Sequence, residues 1–165
     1  VPYADRKDRN PHRVPGTCEW FVSHKLFRNW LEDFEGEFKA LWVSADPGCG
    51  KSVLAKYLVD EVLPTTEART TCYFFFKDDF EDQKTAASAI SCILHQLFTQ
   101  RPVLVSDAVR TQLEAEVEEL RLSFRGLWDL LLKVAEDEDA GDILCVLDAL
   151  DECGADDRRR LKRAA

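Results

Sequence analysis

Apolar residues recur along the chain in two rhythms. Between Thr85 and Gln100, Ala86, Ala89, Ile90, Ile93, Leu94, Leu97 and Phe98 return every three or four positions, which predicts an amphipathic helix closed by Pro102. Ser106 to about Leu120 predicts a more acidic helix. Ser123 is a cap for another, which buries Phe124, Leu127, Trp128, Leu131 and Val134. Trp20, Phe27, Trp30, Leu31 and Phe34 place one or two amphipathic helices between Thr17 and Asp33, with Ser23 as a candidate cap. Their aromatic rings read as a packing face rather than a ligand platform.

Three short runs follow the other rhythm. Ala40-Leu41-Trp42-Val43-Ser44, Thr70 to Phe76 and Ile143 to Leu147 are apolar or β-branched without alternation, as strands covered on both faces are. A helical pattern from Ser52 to Leu63, stopped by Pro64, follows the first run. Strands alternating with helices predict an α/β domain with a mostly parallel sheet, which binds ligands at the carboxyl ends of its strands. Residues 1–16, rich in proline and charge, read as a linker or lead-in. The acidic stretch Glu136 to Asp142 reads as a solvated loop, and residues 154–165 as a charged tail.

Composition narrows the partners. The 165 residues, 45 % hydrophobic and 32 % charged, fit one globular domain, here placed at residues 17–153. A net charge of −9 argues against duplex nucleic acid as a partner, because phosphate backbones are held by basic surface. No apolar run is long enough to span a bilayer. The six cysteines show no CxxC spacing and read as reduced thiols, which favours a cytoplasmic location and gives zinc no ligand set. His12, His24 and His95 have no ligand spacing either. The chain begins at Val1 and contains no methionine, so it reads as a piece of a longer protein.

The chemistry concentrates at Ala45-Asp46-Pro47-Gly48-Cys49-Gly50-Lys51-Ser52, a glycine-rich loop between an apolar run and a helix. A triphosphate must be held by groups that approach closely. Successive backbone N–H groups and the N-terminal dipole of the next helix meet that need, and Gly48 and Gly50 leave room for it. Lys51 is expected to reach the β- and γ-phosphates and the Ser52 hydroxyl to ligate Mg²⁺. Ala45 stands where the strict motif has glycine, so the match is to its relaxed form, and Cys49 reads as a small residue tolerated between two glycines. Asp148, ending the last apolar run, is a second candidate Mg²⁺ ligand. Asp151 and Glu152 are candidates to orient or deprotonate a water aimed at the γ-phosphate. ATP is the expected nucleotide, with GTP as the alternative; no guanine-reading Asn/Thr-Lys-x-Asp occurs in these residues, and its absence leaves that choice open.

Three segments together, Gly16-Thr17-Cys18-Glu19-Trp20-Phe21, Ser44 to Ala55 and Leu147 to Cys153, resemble the NACHT-type NTPase domains of fungal NOD-like proteins, in the nephrocystin-like N-terminal group. The resemblance implies a P-loop NTPase fold and a signal-transducing switch, set among an N-terminal effector domain and C-terminal repeats, with self-association in its repertoire. It places Gly48, Gly50, Lys51 and Ser52 in the phosphate loop, Asp148 at the Mg²⁺ position, and Asp151 with Glu152 in the acidic extension. P-loop ATPases of this class place a further strand, later in sequence, between the two motif strands. No apolar strand pattern follows Cys153. The sheet is therefore expected to be incomplete at the C-terminus and the chain by itself a poor hydrolase. Two alternatives remain: a nucleotide-gated interaction scaffold without hydrolysis, and a truncated remnant.

Overall fold

The computed structural model describes residues 2–33, 40–80, 83–115 and 123–164. Its element order is α1 (Pro2–Asp8), α2 (Glu19–Ser23), α3 (Lys25–Glu32), α4 (Lys51–Tyr57), β1 (Arg69–Phe75), α5 (Ala86–Gln100), α6 (Asp107–Ala115), α7 (Phe124–Ala135), β2 (Asp142–Asp148) and α8 (Ala155–Ala164). A π turn, Leu58–Val62, prolongs α4, and short 3₁₀ turns cover Pro102–Leu104 and Leu150–Glu152. Phe34 and the end of the helix expected to reach Leu120 lie outside the described residues.

Strands β1 and β2 pair in parallel, Thr70 opposite Ile143 and Phe74 opposite Leu147, which makes the protein mixed α/β as its alternating patterns predict. Both sheet faces are covered by helices. On one, Cys72, Phe74 and Phe76 pack with Ala89, Ile93 and Leu97 of α5, Leu127, Leu130 and Val134 of α7, and Leu161 of α8. On the other, Leu144 and Val146 meet Leu54 and Leu58, backed by Phe21 and Phe27 from α2 and α3. Caps set the helix starts: the Thr85 hydroxyl accepts from the Ser88 N–H at 3.1 Å, and Ser123 accepts from Gly126 at 3.2 Å, as its position predicts. The start of α3 differs, because the His24 ring Nδ1, not Ser23, accepts from the Leu26 N–H.

The two edges of the sheet are unlike. Along the outer edge of β1, Gln96 accepts from the Tyr73 N–H at 3.1 Å and donates to the Tyr73 carbonyl at 2.8 Å. Gln100 donates to the Thr71 carbonyl at 3.2 Å, and Thr65 accepts from the Thr71 N–H at 3.0 Å. Side chains there stand in for a neighbouring strand. The other edge belongs to β2, which is only half-buried through most of its length although its sequence reads as covered on both faces.

Three sequence readings are corrected. Ala40–Ser44 forms no regular strand, and Trp42 and Val43 are exposed, because a strand exists only where a ladder partner does and none among the described residues pairs with this run. Pro2–Asp8, inside the stretch read as an extended lead-in, is a helix packed against β1. The charged tail is also helical and buries Leu161, since its one leucine falls toward α5 while Arg159, Arg160, Lys162 and Arg163 are exposed.

Candidate functional site

Residues 45–50 connect the unpaired 40–44 run to α4, and all are exposed. The Cys49 N–H donates to the Asp46 carbonyl at 3.3 Å, closing a turn. Gly48 and Gly50 have φ of +81° and +80°, a conformation costly to any residue with a Cβ. A Cβ at either glycine would meet nothing within 4 Å, so backbone conformation alone selects glycine here. The loop delivers the chain into α4, whose first amides have no partner inside the helix. Lys51, the first residue of α4, turns back and donates its ammonium to the carbonyls of Ala45 at 2.7 Å and Asp46 at 3.1 Å.

Asp148 ends β2 and is 7 % exposed. The Ser52 hydroxyl and the Ala149 N–H lie near enough to its carboxylate to favour the charged form. Burial nevertheless raises the Asp148 pKa above the ordinary aspartate value; Ser52, Ala149 and the charge of Lys77 pull it back, while Glu152 pushes it up. Ala149 then takes a left-handed conformation with φ of +56°, which starts the turn that carries Leu150–Glu152. The Glu152 N–H returns to the Ala149 carbonyl at 2.9 Å.

The candidates thus divide. Ser52 and Asp148, remote in sequence, are neighbours where α4 lies beside β2, and Lys51 sits beside Ser52 on the first turn of α4. Glu152 faces the segment after β1: its carboxylate accepts from the Asp78 N–H at 3.3 Å and pairs with Lys77 at 3.6 Å. Asp151 is exposed. The pattern of residues did not single out Lys77, which lies close enough to Asp148 to act on its charge. Its only sequence signal is a lone cation just past an apolar run.

Among the described residues no group of three or more His, Cys, Asp or Glu converges on a metal position. Mg²⁺ does not need one, since it keeps several waters and phosphate oxygens and takes one or two protein ligands. The Ser52 hydroxyl and the Asp148 carboxylate, near one another beside the glycine-rich loop, fit that requirement. Cys153, just beyond, is buried, and burial pushes its thiol up to about 11, which keeps it neutral and unreactive near pH 7.

The family model for the N-terminal region of nephrocystin 3 matches residues 16–164, a span that contains the loop, the strand end and every candidate side chain. Vegetative incompatibility protein HET-E-1 of Podospora anserina is 25 % identical over 143 residues, which are 83 % of this chain. The chain spans only about a tenth of that protein's length, the aligned part being 10 % of it. No solved structure matches the chain.

Proposed function

The chain belongs to the nephrocystin 3 N-terminal family, and from that premise we propose that residues 45–52 and Asp148 bind a nucleoside triphosphate with Mg²⁺, as part of a NACHT-like switch with a P-loop NTPase fold. The observation that carries this reading is the closeness of Ser52 to Asp148, near enough for the hydroxyl to act on the charge of the carboxylate, which brings the two sequence motifs to one place. ATP is favoured over GTP because the NACHT-type domains that the chain resembles are signal-transducing ATPases.

Bound Mg²⁺ would supply positive charge against the phosphate oxygens, held by the Ser52 hydroxyl and the Asp148 carboxylate. The backbone N–H groups around Gly48 and Gly50 would face the β-phosphate, as positive φ at both glycines allows. Lys51 would leave the carbonyls of Ala45 and Asp46 for phosphate oxygens, exchanging neutral acceptors for charged ones. Binding then strips a strap of two hydrogen bonds from the loop and stiffens it around the ligand. Glu152 would orient the water that attacks the γ-phosphate once it turns from Lys77 and Asp78.

The relative named as a vegetative incompatibility protein supports placing this module in fungal signalling, beside other domains of a longer polypeptide, and the free cysteines favour the cytoplasm. An interaction scaffold that binds nucleotide without turnover is the competing reading, and the engagement of Glu152 by Lys77 and Asp78 favours it for the resting state. Phosphate release from the complete protein separates the two. Hydrolysis is expected to vanish in Lys51→Ala with loss of binding, and in Glu152→Gln with binding retained. Binding without turnover in the wild type would leave the scaffold reading standing.

A further inference from the structure

The lead-in to the domain is fastened to the helix that carries Lys51 and Ser52. Lys56, on α4, is 3 % exposed, and its ammonium donates to the carbonyl of Asn10 at 2.8 Å and to that of Asp8 at 3.4 Å. These carbonyls stand at the C-terminal end of α1, where a helix leaves acceptors without internal partners. Lys7 pairs with Asp60 on the π turn and lies over the Tyr73 ring. Arg13 pairs with Glu61 at 3.4 Å and with Glu19 at 2.6 Å, and its guanidinium rests 4.2 Å from the centre of the Tyr57 ring. Tyr3 meets Tyr73 edge-on at 5.6 Å. Cations of the lead-in thus face anions of the π turn, while a cation of α4 reaches back to the lead-in.

We propose that residues 3–13 form a strap that braces α4, so that displacing them from upstream lowers the affinity of the glycine loop for its ligand. The reason is mechanical and electrostatic together. The α4 helix is short and begins with Lys51 and Ser52, so its first turn moves as one body with Lys56 and Tyr57. Displacing the strap takes the Asp8 and Asn10 carbonyls from Lys56 and the cations from Asp60 and Glu61, so α4 and the π turn lose their partners on that side. What then holds α4 is the face carrying Leu54 and Leu58, which packs on Leu144 and Val146 of β2, the strand ending at Asp148. The same packing sets how Ser52 stands to Asp148. Seating and release of the strap are therefore two arrangements that the site distinguishes, and coupling between them is reciprocal.

The affinity half of this proposal rests on nucleotide binding at residues 45–52; the bracing of α4 does not. Hydrogen exchange without nucleotide and calorimetric titration with Mg²⁺–ATP, on the same full chains, test the halves separately. Lys7→Asp and Asp60→Lys are each expected to speed amide exchange at residues 3–9 and 51–57 at least fivefold and to weaken Mg²⁺–ATP at least threefold. The double reversal is expected to recover at least half of both effects. Lys56→Met, which keeps the side-chain volume, is expected to act like the single reversals. Faster exchange confined to residues 3–9, with 51–57 unchanged, overturns the brace. Faster exchange in both segments with unchanged Mg²⁺–ATP affinity overturns the coupling. A wild type that binds no Mg²⁺–ATP defeats the nucleotide reading and the affinity half with it, while the exchange result still decides the brace.

Discussion

Asp148 is held between opposing influences, and their balance sets a pH signature. Burial raises its pKa, so the folded chain holds this proton more tightly than the unfolded chain does. The contribution to stability is therefore fully present below the unfolded pKa and is lost as pH rises through the raised folded value. At pH 7 the ionised carboxylate is a burden on the ligand-free fold. Asp148→Asn is expected to raise the melting temperature at pH 7, by a margin that shrinks as the pH is lowered through the raised pKa, as thermal scans across pH would show. The same substitution is expected to remove any stabilisation by Mg²⁺. Lys51 contrasts with it, since its bonds go only to carbonyls of an exposed loop. Lys51→Ala is expected to change ligand-free stability by less than about 0.5 kcal/mol. Gly50→Ala places a Cβ at φ of +80°, and a cost of about 1–2 kcal/mol is expected from urea denaturation, arising from conformation because the space itself is open.

Elements differ in how openly the sequence declares them. The α5 helix was legible because its buried residues follow the helical period and Thr85 caps it; α7 was legible for the same reasons, with Ser123 as its cap. The run 40–44 has strand composition, yet pairing is a property of two segments, and its partner could not be read from its own residues. The α1 helix escaped detection because lysine, arginine and tyrosine contacts, not an apolar stripe, hold it in place. Gln96 is the least legible residue of all. It looks like a polar interruption on an apolar helix, but it is 2 % exposed and satisfies both backbone groups of Tyr73. Gln96→Ala leaves a buried donor and acceptor without partners, and a loss of about 2 kcal/mol is expected in chemical denaturation. Gln96→Glu, which can accept but not donate when ionised, is expected to lose stability as pH rises above the carboxylate range.

For the molecule as a whole, the sheet is closed on the β1 side by Gln96, Gln100 and Thr65 and half-buried on the β2 side. In the candidate site, the glycine loop was legible because glycine, lysine and serine at fixed spacing have few other uses. Lys77 and the strap were not, because each acts through contacts between segments remote in sequence. The central claim is that loop and strand end form one Mg²⁺–nucleotide site. Titration calorimetry of Mg²⁺–ATP into the wild type, Lys51→Ala and Asp148→Asn tests it most directly. Saturable binding to the wild type is expected, weakened about a hundredfold in Lys51→Ala through loss of roughly 2–3 kcal/mol of charge-assisted bonding. Asp148→Asn is expected to bind ATP equally with and without Mg²⁺. Equal affinity in all three proteins, or none in the folded wild type, would contradict the account.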